Sequence, residues 1–339
     1  MIIMFLFKEI ERVLEATNNQ AKEVYIFNRS TEEMPMNEYK TVGQIIEELS
    51  MKVDYPLVFS ADEKEMAKEF LVVHNYYSFQ IYRKFLPRIE GKEYSFTDCL
   101  ILYQFNDFLR EGINKFAGVV ELLFRSTLVT HLCSHYDGDF HKGEFYLDKS
   151  IYAKESLANE ILMGFSNRIK ESKSDAVIHH IRNKNRAIPF WVIVEEATFG
   201  ELYHFVTCLN QEYRYHWIDQ AFGKQYRKFI MGWVKSVNIM RNTCAHYGRL
   251  YARYFSAAPP KLLKEDMMKA DIKGDQNKTL FAQLLTLKHL ITYNSFYHDE
   301  WNSFIDTLNQ AITKNKGNII LSRMKFPVNW KECLLIKED

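Results

Sequence analysis

Arg241-Asn242-Thr243-Cys244-Ala245-His246 brings together an arginine, an amide directly after it and a histidine five positions on. These residue types can cleave RNA without a metal. A ribose 2′-hydroxyl must lose a proton to attack its own phosphate, and the departing 5′-oxygen must gain one. Histidine titrates near neutral pH and can serve either transfer, worth about 10²–10⁴-fold in rate. Arginine offers a planar fork for two phosphate oxygens and stabilises the charge that builds in the transition state. One histidine can hardly be acid and base at once. That predicts a two-fold dimer in which two His246 and two Arg241 line one shared cleft. The bland alternative is an ordinary surface pair closing a last helical turn, where cations favour the dipole.

The element that must position these residues is an amphipathic helix. Phe222, Tyr226, Phe229, Ile230, Trp233, Val237, Met240 and Cys244 share one stripe, which predicts a helix from near Phe222 through the motif. At about 100° per residue, Arg241 lies about 60° from the centre of that stripe. Asn242 and His246, four apart, fall on the face opposite the core and so face solvent or another subunit. Arg241 can lay its stem against the core while its guanidinium reaches the same cleft. The small Ala245 leaves room for a substrate.

Other residues compete for chemical roles. Arg125 and His131 repeat a loose Arg-x5-His spacing, but Ser126 follows the arginine and Glu121 stands one turn before it. A structural Glu121–Arg125 ion pair fits better, with Arg125 still able to line a cleft and touch phosphate. His131, Cys133, His135, Asp137, Asp139 and His141 are dense in possible metal ligands, and His131 and His135 share a helix face as a zinc pair would. No Glu beside the first histidine supplies a base, and a polar helix end running into an Asp-Gly-Asp turn explains the same residues; no metal or cofactor is expected. The basic stretch 168–186, with Arg182, Lys184 and Arg186, and Arg249 and Arg253 after the motif, can bind RNA phosphates without reading sequence. Tyr76, Tyr77, Phe79 and Tyr82 could stack bases, although their helical spacing suits a core.

Composition bounds the rest. In 339 residues, 47% apolar and 15% aromatic content predict a sizeable packed core, while only 13 Gly and 7 Pro argue against a sandwich or barrel. With 44 basic against 43 acidic residues, any nucleic-acid affinity must come from a local patch. Five scattered cysteines without a Cys-x-x-Cys pair suit a reduced, cytoplasmic protein. The apolar opening, residues 1–7, lacks a basic leader and a cleavage site. No apolar stretch is expected to approach the ~20 residues a membrane helix needs.

Most of the chain reads as helix: 61–85, 95–135 with a clear period near 3.6, a break at Tyr136-Asp137-Gly138-Asp139, then 150–172. A polar, basic linker is expected over 168–186. Pro189 restarts the fold, and Thr198 with Glu201 has the spacing of a capping box. Pro259-Pro260 end the motif region. Further helices are expected over 278–297 and 299–314, with an irregular or partly extended tail over 319–336. The predicted class is all-α, with an N-terminal helical extension (1–95), a core carrying the motif (96–255) and a C-terminal helical extension (256–339).

Arg-Asn-x-x-Ala-His resembles the Arg-x4–6-His signature of HEPN ribonucleases, in which a polar residue often follows the arginine. Several further segments are similar to the bacterial abortive-infection (Abi-like, AbiD/AbiF) family. They are Asn75-Tyr76-Tyr77 with Tyr82-Arg83, the stretch from Leu102-Tyr103 to Leu109-Arg110, Glu121 to Arg125, Pro189-Phe190-Trp191 leading to Phe199-Gly200, the 241–246 motif, and Phe326-Pro327-Val328-Asn329-Trp330. The resemblance runs in order from about residue 40 to residue 331; the first 40 residues depart from it. It implies a HEPN-like helical bundle, dimeric, acting on RNA in antiviral defence. Arg241 and His246 would be the catalytic pair and Asn242 the residue that positions them. It also implies a toxin held in check by a small noncoding RNA or a protein antitoxin. The alternative within the same resemblance is a defence or toxin–antitoxin protein that binds RNA without cutting it.

Overall fold

The computed structural model describes residues 38–337 apart from residue 275. The chain divides into two units, Met1–Ile45 and Ile46–Asp339. The apolar opening 1–7 lies outside the described residues. Within the second unit, segments 46–95 and 256–337 pack together with the segment between them.

The all-α class holds. Among the described residues the only strands are Leu57–Val58 and Tyr94–Ser95, paired in parallel just before the longest helix. That helix, Phe96–His135, is the axis of the unit. Ser95 caps it: Ser95 Oγ accepts from Asp98 N, and Asp98 Oδ2 accepts from Ser95 N. Leu102, Phe105, Leu109, Ile113, Phe116, Val120, Leu128 and Leu132 follow the expected period and are all buried; Leu100 and Leu123, expected with them, are half-buried, and Phe124 is buried instead. Each buried side chain contributes about 1.5–3 kcal/mol by leaving water. One window of this helix, with mean hydropathy 1.3, is long and apolar enough to cross a membrane by length and composition. The expectation that no stretch would approach that length overlooked it. In the fold its apolar residues meet other helices.

Four helices pack along this axis: Phe190–Glu196, Gln211–Ala221, Ile230–Ala245 and Leu280–Ile291. Leu280–Ile291 is buried over nearly its whole length. His298–Lys314 also packs on the central helix and ties down the tail, since Trp301 Nε1 donates to Leu334 O at 2.7 Å and Ile336 N donates to Asn302 Oδ1 at 2.9 Å. The tail is irregular, as expected, apart from a 3-10 turn at Leu321–Met324 and a short helix at Trp330–Leu334, and it holds no strand.

Several expected boundaries move, each for a local reason. The helix foreseen over 61–85 ends at Val73, because Asn75 accepts from Tyr77 N at 2.8 Å and caps a new turn, Tyr76–Gln80. Phe79 and Tyr82 there are core, whereas Tyr77 is exposed. The basic linker 168–186 is largely helical. Arg168 belongs to Glu155–Glu171, and Ser174 caps a second helix, Asp175–Asn183. The capping box at Thr198 and Glu201 is present and opens the helix Phe199–Cys208. Gln211–Ala221 escapes sequence reading because its apolar residues, such as Tyr213, Trp217 and Ile218, are diluted by charged and polar neighbours. The motif helix starts at Ile230, not near Phe222: Gly223, at φ 100°, breaks the chain ahead of it. Helices foreseen over 278–297 and 299–314 appear as Leu280–Ile291 and His298–Lys314.

Two glycines of the central helix predict opposite outcomes. A Cβ on Gly112 would overlap the Phe304 ring, while one on Gly118 would meet nothing within 4 Å. Gly112→Ala is expected to destabilise by about 1–3 kcal/mol through overpacking. Gly118→Ala is expected to stabilise by up to about 1 kcal/mol through helix propensity. Urea melts of both variants check this; a stabilised Gly112→Ala would contradict the close packing of Phe304.

An acid-sensitive contact joins two helix starts. Glu63 Oε2 accepts from Ser60 N at 3.0 Å, and Glu63 Oε1 accepts from Thr97 N and Oγ1 at 3.0 and 2.6 Å. Burial raises this carboxyl's pKa, but the hydrogen bonds from Thr97 and Ser60 outweigh it and hold the group at about 2. Its stabilisation is thus complete above the ordinary value near 4.5 and is lost as the pH falls through about 2. Glu63→Gln should be less stable than wild type by about 1 kcal/mol at pH 6, with the gap closing towards pH 2. An equal gap at both pH values would show that the charge contributes nothing.

Candidate active site

Ile230, Trp233, Val237, Met240 and Cys244 bury one face of the motif helix. Asn242, Ala245 and His246 are exposed, and the Arg241 side chain keeps 41% of its surface. The helix proper ends at Ala245, yet His246 N donates to Asn242 O at 3.0 Å, so His246 continues the last turn. Tyr247, at φ 54°, then turns the chain, and Gly248 N donates to Thr243 O at 2.8 Å. A Cβ on Gly248 would press on Thr243 O at 2.9 Å, so this tight ending requires glycine. Burial pushes the Cys244 thiol up to about 12, which disfavours the thiolate.

The motif helix, the central helix and the start of Phe199–Cys208 enclose a cleft of about 390 Å³. Glu121, Arg125, Asn238, Arg241, Asn242 and the 196–200 turn line it. Glu121 lies between two guanidiniums, accepting from Arg125 Nη2 at 2.5 Å and facing Arg241 Nε at 3.5 Å. Glu121 and Arg125 each expose only 12% of their side chains. Arg241 Nη1 reaches Asn242 Oδ1 at 3.3 Å, and Asn242 Nδ2 reaches Asn238 Oδ1 at 3.5 Å. The cleft thus gathers hydrogen-bond donors from three segments of the chain. Such a lining suits an anion with several acceptor oxygens.

Arg241, Asn242 and Arg125 therefore meet in one cleft. His246 does not line it and stands one turn beyond on the exposed side of the same helix. Arg182, Lys184 and Arg186 are exposed elsewhere, at and after the end of Asp175–Asn183; Lys184 lines a smaller hollow with His141, His180 and Trp191. Arg249 is half-buried, with its guanidinium over the Phe85 ring at 4.5 Å and donating to Tyr251 O. Burial lowers its pKa, though a guanidinium stays charged. Arg253 Nη1 donates to Arg249 O at 3.4 Å. Among the metal candidates, His135 stacks on His216 at 3.7 Å and His141 Nδ1 accepts from Gly143 N. No three His, Cys, Asp or Glu among the described residues group as metal ligands.

Two positions were missed in the sequence. Asn238 stands four before Asn242, on the same face, so helical spacing was the available signal. Asn106 interrupts the apolar stripe of the central helix. It is fully buried, and its Oδ1 accepts from Leu250 N at 2.7 Å and Tyr251 N at 3.0 Å, anchoring the loop after the motif.

No curated protein and no solved structure matches the chain. A family model described as Abi-like protein matches residues 69–252, from within the helix that lies between the two strands to the loop that Asn106 holds. With more than half of its length in that match, the chain belongs to the Abi-like protein family, a family of abortive-infection defence.

Proposed function

We propose that this protein is a metal-independent endoribonuclease of the HEPN type, AbiD/AbiF-like, that acts as a toxin in abortive-infection defence. The observation that supports the reading best is the end of the motif helix. It directs Arg241 and Asn242 into a polar cleft and leaves His246 exposed one turn on. His246 serves as general acid/base, Arg241 holds the scissile phosphate and stabilises its growing charge, and Asn242 orients the phosphate or the histidine. The product carries a 2′,3′-cyclic phosphate. A homodimer supplies the second histidine, so that one imidazole takes the 2′-hydroxyl proton while the other protonates the leaving 5′-oxygen. A cytoplasmic setting and an inhibitory noncoding RNA or protein antitoxin belong to the same reading.

The test is incubation of the purified protein with total bacterial RNA in EDTA, followed by end-group analysis of the fragments. Cleavage to 2′,3′-cyclic phosphate ends supports the reading. RNA bound but never cut would favour an RNA-binding defence protein instead.

A further inference from the structure

Arg125 Nη1 is buried and has no hydrogen-bond partner, although it belongs to a residue lining the cleft beside Arg241. A guanidinium carries five donors and no acceptor, so a buried one that is only partly engaged calls for an acceptor. Glu121 supplies part of it, taking Arg125 through Nη2 at 2.5 Å. The same carboxylate faces Arg241 only through Nε, at 3.5 Å, and Asn242 Oδ1 accepts from Nη1 at 3.3 Å, which leaves Nη2 of that guanidinium for another acceptor. The other carboxylate of the lining, Glu196, accepts from Ser174 Oγ at 2.5 Å. Asn238 adds an amide beside the 198–200 turn, where Thr198 Oγ1 already accepts from Glu201 N but the N–H groups of Phe199 and Gly200 lack helical acceptors. Donors from Arg125, Arg241, Asn238 and the 198–200 turn thus outnumber the acceptors that Glu121 and Glu196 supply to the cleft.

We propose that this cleft is a phosphate subsite. It holds an RNA phosphodiester between Arg125, Arg241 and Asn238, with Glu121 fixing both guanidiniums in place. The subsite deepens the RNA-cleaving reading and rests on it for the identity of the ligand, since the phosphate belongs to the strand that His246 acts on. Arg125, 116 residues before Arg241, then grips the substrate without taking part in proton transfer.

A 2′-O-methyl RNA oligonucleotide, which cannot be cleaved, and inorganic phosphate are titrated into wild type, Arg125→Ala, Asn238→Asp and the exposed Lys316→Ala. Asn238→Asp is included because Arg125→Ala strips Glu121 of its closest partner and could impair folding. The aspartate keeps the side-chain volume and places a carboxylate in the cleft. Both cleft variants are expected to bind the oligonucleotide at least about tenfold more weakly, and Lys316→Ala to bind as wild type does. In Arg125→Ala the slope of log affinity against log salt should fall in magnitude by about 0.7, one single-strand phosphate contact. Oligonucleotide binding that is unchanged in both cleft variants overturns the subsite and leaves the ribonuclease reading standing. Wild type that binds phosphate but no RNA, with phosphate lost in both variants, keeps the phosphate site and removes RNA as its ligand. Wild type that binds neither probe overturns both.

Discussion

Alanine at His246 is expected to lower metal-free RNA cleavage by about 10²–10⁴-fold, the worth of a positioned general acid/base. Alanine at Arg241 should cost about 10²–10³-fold, because a fixed cation opposite the transition-state charge is lost. Arg241→Lys should fall between wild type and alanine, since lysine keeps the charge but not the fork. Neither alanine should disturb folding: His246 is exposed, and Arg241 leans on Glu121 through a 3.5 Å contact near the surface. The dimer adds a sharper consequence. If two chains share one cleft and both histidines are needed, mixing wild type with inactive His246→Ala forms hybrids that hold a single histidine, and activity falls more steeply than the wild-type fraction. Activity that falls only in proportion to the wild-type fraction would sink the shared cleft. Equal cleavage by wild type and both variants would sink the motif assignment itself.

The largest stability effect is expected at Asn106, far from both Arg241 and His246 in sequence. Asn106→Ala leaves Leu250 N and Tyr251 N buried with no acceptor, since both residues are completely inaccessible. Stranding two backbone donors costs about 2–4 kcal/mol, a fall in Tm of about 5–15 °C. Asn106→Leu restores the volume but not the acceptor and should do no better; recovery by leucine would mean that packing, not hydrogen bonding, holds the loop. The same loop comes directly after the tight turn that ends the motif helix. Below the melting transition, cleavage by Asn106→Ala should still fall, by up to about 10²-fold, because a shift of an ångström at His246 suffices.

Helices whose signals lie within one or two turns were legible in advance. The central helix showed its period, and the Thr198–Glu201 capping box and the Glu121–Arg125 ion pair are where their spacing put them. Each is an interaction among residues three or four apart, so chain order alone brings the partners together. Gln211–Ala221 and the helix inside the basic stretch 168–186 were not legible, because their few apolar residues acquire a face only when the central helix and its neighbours cover them. The overlong motif helix failed for a different reason: a stripe on a helical wheel does not register that Gly223 takes a left-handed turn.

By itself, then, the amino-acid sequence determined the all-α class and the face of the motif helix that carries Asn242 and His246. It also determined a family resemblance, which the match over residues 69–252 bears out at the level of the Abi-like proteins. Only the tertiary structure decided that Arg241 meets Glu121, that Asn106 anchors the loop after the motif, and that Asn238 and the 196–200 turn complete the cleft. These partners lie tens to more than a hundred residues apart. Their meeting depends on how packed helices are rotated and slid against one another, which the core as a whole sets and which local periodicity does not specify.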